Sequence, residues 1–219
     1  MIIFEHRLNS RQQIIDTNHG IEIDLRSSPS GLMLSHDPSL DKNVLLNDVE
    51  KIIVGRKVIF NVKEEGLEES LMEYFNVIDR ENSFILDETI PYIIKYCKKG
   101  FTNFALRVSD LESIETAINI NKYLSTFDVR IDWIWLDCFN LNAPDKLVIN
   151  ELKNNNFKIC FVSPELHILN NESEWGYVVE NYARQLFSYG VVIDAVCTKL
   201  TDAWSKIQNE RNFNERCAT

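Results

Sequence analysis

The chain has 219 residues, 45% of them hydrophobic and 26% charged, with a formal net charge of -10 at pH 7. That length buries a full core and fits one α/β barrel on the short side of the usual size. The acidic balance argues against nucleic acid, whose binding needs a basic surface, and against adhesion to anionic membrane. It leaves room for a phosphorylated small-molecule substrate, because a bound divalent cation reverses the local field. No apolar run approaches the roughly 18 residues of a membrane span. No basic stretch followed by an apolar segment opens the chain, so no signal peptide and no stable membrane association are expected. The five cysteines at 97, 138, 160, 197 and 217 have no C-x-x-C spacing, and the first four lie in or beside apolar runs. They read as free thiols in a cytoplasmic protein.

Short β-branched or aromatic runs alternate with longer stretches of helical period. The pattern predicts strands at 2–6, 20–25, 57–63, 83–87, 102–107, 132–137, 158–163 and 193–198, with a short extra β-run at 31–36. Helices are predicted at 9–17, 44–54, 66–78, 89–99, 110–125, 144–155, 170–188 and 199–210. Ser109-Asp110-Leu111-Glu112 and Ser163-Pro164-Glu165 read as helix starts, and Gly100 and Gly190 as stops. Eight β-then-α units, with no linker or repeat, predict one (β/α)8 TIM barrel over 1–219, the alternative being an open doubly wound sheet with fewer strands. His6, Asp24, Lys63, Asp87, Arg107, Asp137, Ser163 and Thr198 all fall at the C-terminal ends of predicted strands. A barrel gathers those ends on one rim, where active sites lie.

Three of the four histidines and a Glu-x-Asp pair fall within the first 37 residues. Glu22 and Asp24 are two apart on a strand, so both side chains face one way while Ile21, Ile23 and Leu25 face the covering helices. Two such carboxylates suit a hard cation, Mg²⁺ or Ca²⁺. Without a cation, their repulsion raises one pKa, and the plain alternative is pairing with Arg7 or Arg26. His6 and His36 each end a β-run, and a pair of imidazoles can act as base and acid; alone, either reads as a satisfied structural histidine. Asn61 and Lys63 share one face with Ile59. A lysine there can hold a phosphate oxygen, and an amide oxygen can ligate a hard cation. Arg7 and Arg107 are further phosphate candidates, with an ion pair to Asp87 or Asp137 as the alternative for Arg107. Trp133 and Trp135 read as core or pocket wall. The chain has no Gly-rich phosphate loop, no H-E-x-x-H and no G-x-S-x-G.

His6-Arg7, Glu22-x-Asp24, His36-Asp37 and Phe60-Asn61-Val62-Lys63, in this order and spacing, resemble the glycerophosphodiester phosphodiesterases of the phosphatidylinositol-phosphodiesterase-like barrel superfamily. The resemblance implies a (β/α)8 barrel and a phosphoric diester hydrolase that uses a divalent cation. It implies Glu22 and Asp24 as metal ligands, His6 and His36 as the acid/base pair, and Arg7 and Lys63 as phosphate contacts. Asn61 stands where the family usually has a third carboxylate ligand. Leu8 stands where it has glycine, and the usual Glu-Asn that follows is missing. The later stretches, among them Ile134-Trp135-Leu136-Asp137 and Val162-Ser163-Pro164-Glu165-Leu166-His167, resemble a narrower bacterial subgroup that often accompanies surface-glycan genes. In that subgroup the last motif reads Cys-Thr-Asp, and here Lys199 follows Cys197-Thr198. The expected substrate is a glycerol-type or glycan-linked phosphodiester. The alternatives are a phospholipase D-like lyase that forms a cyclic phosphate, and a non-catalytic binding protein on a decayed barrel site.

Overall fold

The computed structural model describes residues 1–38, 44–168 and 171–217. Among these, the strands are β1 (Ile2–Glu5), β2 (Gly20–Ser28), β3 (Gly31–Leu34), β4 (Val58–Val62), β5 (Phe84–Leu86), β6 (Ala105–Val108), β7 (Trp133–Leu136), β8 (Lys158–Val162) and β9 (Ala195–Thr198). The helices are α1 (Arg11–Asp16), α2 (Leu46–Ile53), α3 (Glu68–Met72), α4 (Ile90–Cys97), α5 (Ile114–Ser125), α6 (Lys146–Asn154), α7 (Glu172–Ser188) and α8 (Thr201–Cys217). The strands run side by side in the order β5-β4-β2-β1-β9-β8-β7-β6, all parallel, and β3 folds back antiparallel on β2. A single parallel bridge, Ile85 to Phe104, joins β5 to β6 and brings the sheet round on itself. This is a (β/α)8 TIM barrel whose β5–β6 seam is loosely sewn.

The alternation of each strand sorts its side chains into two layers. Ile21, Ile23, Leu25, Val58, Phe60 and Val62 face outward and pack under the helices. Phe4, Ile59, Phe84, Leu86, Trp133, Trp135, Cys160 and Cys197 face inward and fill the barrel. Fully burying one such side chain contributes about 1.5–3 kcal/mol, so the two layers supply most of the drive to fold. At the base of the barrel, Gly20 lies beside Phe4 in register. A Cβ on Gly20 would sit 2.6 Å from the Phe4 ring, so this close approach needs glycine.

All eight predicted strands and the extra β-run are present. Two helix readings change. The segment read as one helix over 66–78 is instead α3 followed by a 3₁₀ turn at Tyr74–Asn76. Ser109 to Glu112 forms a turn closed by the Ser109 hydroxyl, and α5 starts at the N-cap Ser113. Ser163-Pro164-Glu165 opens a short 3₁₀ helix, Pro164–His167. Position 170, the first residue of the predicted 170–188 helix, lies outside the described residues. Cys97, Cys138, Cys160 and Cys197 are buried free thiols. No helix among the described residues is long and apolar enough to cross a membrane.

Candidate active site

Register sets the site. β2 and β4 pair Glu22 with Ile59 and Asp24 with Asn61, so the two carboxylates and the amide come to the inner face at the C-terminal end of the barrel. Glu22 is fully buried and Asp24 nearly so. Asn61 donates from Nδ2 to Glu22 Oε1 at 2.8 Å. The Arg7 amide donates to Glu22 Oε2 at 2.6 Å. That bond depends on an uncommon backbone: Arg7 has φ of 57°, in the left-handed region. Such strain costs of order 1–3 kcal/mol and persists where the surroundings over-determine it, which is common at functional sites. Asp24 accepts from Asn9 Nδ2 at 2.8 Å, and its own amide donates to Asn9 Oδ1 at 2.9 Å. Lys63 Nζ lies 3.1 Å from Asp24 Oδ1, and Arg7 Nε lies 3.4 Å from Asp24 Oδ2.

Burial and the neighbouring Asp24 charge push the Glu22 carboxyl up to about 7, against the pull of the Asn61 amide, the Arg7 N–H and Lys63. Burial, then the Arg7 charge, drives the His6 imidazole down to about 3, with Asp24 opposing and Lys199 and Lys63 adding. His6 is therefore neutral at physiological pH. Its Nε2 stands 3.8 Å from Glu22 Oε2, a polar contact with an uncharged ring and not an ion pair.

Four buried polar atoms around the barrel mouth have no hydrogen-bond partner among the described residues: His6 Nδ1, Asn61 Oδ1, Trp135 Nε1 and Glu165 Oε2. Orphaned buried groups cost about 1–3 kcal/mol each; five further such atoms lie elsewhere among the described residues, on Glu68, Glu88, Thr89, Arg130 and Tyr182. No three His, Cys, Asp or Glu side chains among the described residues gather as a metal set. The oxygen donors at hand are the Glu22 and Asp24 carboxylates and the Asn61 amide. Such all-oxygen donors suit a hard cation, and each ionised carboxylate keeps lone pairs beyond its present hydrogen bonds. The donor set fits a divalent cation with one negative charge fewer than three carboxylates would carry.

From Asp24 a chain of alternating charges follows the rim. Lys63 also reaches Asp87 at 3.6 Å. Asp87, itself at φ 63°, pairs with Arg107. Arg107 reaches Asp137 at 2.8 Å and Glu112 at 3.9 Å. Asp137 holds His167 Nε2 at 2.6 Å, and the Phe139 ring packs against that imidazole at 4.9 Å between centroids. Arg107 is thus engaged by three carboxylates, the arrangement that the sequence left as its alternative. Nearby, Glu165 is fully buried and accepts from the Thr198 hydroxyl at 2.5 Å and the Lys199 amide at 2.9 Å.

His6, Arg7, Glu22, Asp24, Asn61 and Lys63 come together as one cluster. His36 stands apart from it in the described contacts. It ends the β2–β3 hairpin, partly exposed, with Nδ1 2.9 Å from Asp37 Oδ1. Its link to the site is through backbone, where Ser35 N donates to Asp24 O at 3.0 Å. Asn9 is the functional neighbour that sequence reasoning misses. A signal for it exists: Ser10 and Gln13 form a capping box that starts α1 and leaves 6–9 as a rim loop.

No family model matches the chain, and no curated protein matches it. Among solved structures it is similar to a protein from Agrobacterium tumefaciens str. C58 named "putative glycerophosphoryl diester phosphodiesterase". That likeness has a TM-score of 0.64 at 11% identity and covers 96% of this chain and 98% of the other. At this identity the two chains share the barrel fold over their full lengths.

Proposed function

We propose that the protein is a phosphoric diester hydrolase that works with a divalent cation, Mg²⁺ or Ca²⁺, on a glycerophosphodiester-type or glycan-linked phosphodiester. The observation that carries this reading is the buried Glu22–Asp24 pair at the barrel mouth, beside a neutral His6 and an amide oxygen with no partner. The shared fold with the Agrobacterium protein supports it at the level of architecture.

In this reading Glu22, Asp24 and Asn61 Oδ1 hold the cation, which draws charge from a phosphoryl oxygen when bound. Lys63 and the half-exposed Arg7 guanidinium face the remaining phosphoryl oxygens, each already held in place by Asp24. In this reading His6, beside Glu22 at the carboxylate pair, takes the proton of the attacking hydroxyl or water. Glu22, 3.8 Å away, stabilises the imidazolium that forms. His36 is, in this reading, the acid that protonates the leaving alcohol. Arg107 holds the rim carboxylates together.

Phosphorus NMR of a glycerophosphodiester incubated with the protein and Mg²⁺ or Ca²⁺ tests the proposal. A phosphomonoester signal is expected. A five-membered cyclic phosphate as the accumulating product would establish the lyase alternative, and an unchanged diester would contradict both.

A further inference from the structure

Asp137 and His167 form an aspartate–imidazole pair on the far side of the barrel mouth. Asp137 follows Trp133 and Trp135 at two-residue spacing, so it keeps to the inner face of β7, and it is 3% exposed. His167 ends the 3₁₀ helix Pro164–His167 that follows β8. Asp137 accepts from Arg107 Nη1 through Oδ2 at 2.8 Å and from His167 Nε2 through Oδ1 at 2.6 Å. A carboxylate engaged in this way fixes the tautomer of the imidazole: Nε2 carries the hydrogen and Nδ1 keeps its lone pair. Nδ1 has no hydrogen-bond partner among the described residues. The Phe139 ring, 4.9 Å away between centroids, restricts rotation of the imidazole.

The circle of strands places this pair opposite the candidate cation ligands. In the order β5-β4-β2-β1-β9-β8-β7-β6, closed by the bridge from β6 to β5, three strands separate β7 from β2 in either direction, and three separate β8 from β4. Glu22 and Asp24 stand on β2, and Asn61 on β4. The interior of an eight-stranded barrel has room only for side chains or one small ligand. A phosphoryl group seated at the Glu22–Asp24 pair therefore turns its far side to Asp137 and His167. On that side the Trp135 indole N–H and Glu165 Oε2 are buried without a partner. One is a donor and the other an acceptor. Together with His167 Nδ1 they match the two to four polar partners that an ordered water needs.

We infer that His167, oriented by Asp137, is a further catalytic residue: the base that takes a proton from water when a cyclic phosphate is opened. This rests on the phosphodiesterase reading and deepens it by separating hydrolysis from cyclisation. In the first step a substrate hydroxyl beside the diester bonds to phosphorus and gives its proton to His6. The bond to the leaving alcohol breaks, and that alcohol takes its proton from His36. A five-membered cyclic phosphate remains, and His6 is an imidazolium that cannot act as a base. In the second step the water oxygen bonds to phosphorus and the ring P–O bond breaks. His6 returns its proton to the ring oxygen, His167 Nδ1 takes one proton of the water, and a phosphomonoester results. Without the second base the reaction stops at the ring.

Phosphorus NMR tests this with the whole chain and Mg²⁺ or Ca²⁺, on a glycerol nitrophenyl phosphodiester and, separately, on the five-membered cyclic phosphate of glycerol. Wild type should form the monoester from both. His167→Ala should slow opening of the cyclic phosphate on the order of 10²- to 10⁴-fold. That loss should far exceed the loss in nitrophenol release, so the cyclic phosphate becomes the accumulating product. A merely structural role would slow both reactions alike. Asp137→Asn keeps the shape of the side chain but loses an acceptor, and it should also accumulate the cyclic phosphate. Equal slowing of the two reactions in both variants, or a wild-type product ratio in both, overturns the inference and leaves the phosphodiesterase reading standing. Accumulation of the cyclic phosphate by wild type also overturns it, because no water step then follows cyclisation. Turnover of neither substrate overturns the phosphodiesterase reading and this inference with it.

Discussion

Asn61 donates its amide proton to Glu22 Oε1 at 2.8 Å and leaves its own oxygen buried without a partner. A carboxylate in its place would repel Glu22 and Asp24; the amide steadies Glu22 and, in the proposed function, offers its oxygen to the cation. Asn61→Glu should therefore lower the melting temperature of the cation-free protein and raise affinity for Mg²⁺ or Ca²⁺ on the order of tenfold, since ligand charge tunes these sites. Thermal unfolding across a cation titration reads both effects. Unchanged affinity would show that position 61 does not ligate.

His6 is partly buried, and its neutral imidazole has a buried Nδ1 with no partner. Its replacement by alanine removes the proposed base while deleting no salt bridge. His6→Ala should lower kcat on the order of 10²- to 10⁴-fold and leave the far-ultraviolet circular dichroism unchanged. Turnover close to wild type would remove His6 from the reaction.

Glu88 makes stability depend on pH. Burial, and then its hydrogen bond to Glu68, raise its carboxyl from an ordinary 4.5 to about 8, and the Glu68 and Glu65 charges add to this. The folded chain holds this proton more tightly than the unfolded chain does. The contribution is thus complete below about pH 4.5 and is lost as pH rises through about 8. Glu88→Gln keeps a neutral donor against Glu68 and removes the titration. The melting temperature of the variant relative to wild type should climb steadily between pH 5 and pH 8. A pH-independent difference would contradict the shared proton.

Much of this architecture is readable in the sequence because strand alternation is a strict rule. The two-residue spacing of Glu22 and Asp24 already puts them on one face, and the sheet keeps them there. What escapes is backbone detail that alternation does not govern. Leu67, Leu71, Phe75 and Ile78 keep a helical apolar rhythm and all reach the core, yet the backbone tightens into a 3₁₀ turn at Tyr74–Asn76 as Phe75 packs edge-on against Phe60 and Phe101. The bond from Arg7 N to Glu22 depends on a left-handed residue that is not glycine, for which the sequence carries no mark. The Asn9–Asp24 contact follows from the same turn. His36 is legible as the end of a β-run, but where its ring goes depends on the hairpin that β3 makes with β2.

Arg107 separates Asp87 from Asp137 on the rim. Arg107→Met removes the guanidinium from between those carboxylates and leaves Asp87 to Lys63 and Asp137, almost wholly buried, to His167. Stability should fall by about 1–3 kcal/mol, the cost of stranding buried polar groups, read as a lower denaturation midpoint. The KM for a methyl phosphodiester should change little. A rise in KM with stability intact would make Arg107 a phosphate contact instead.

If the proposed function holds, Glu22 and Asp24 bind a cation on which phosphodiester cleavage depends. The most direct measurement is turnover of a nitrophenyl phosphodiester by wild type and by Asp24→Asn, each in EDTA and across a Mg²⁺ or Ca²⁺ titration. Wild-type turnover should be abolished by EDTA and restored by added cation. Asp24→Asn should need far more cation or fail to respond. Turnover indifferent to EDTA, or the same cation response in both proteins, would contradict it.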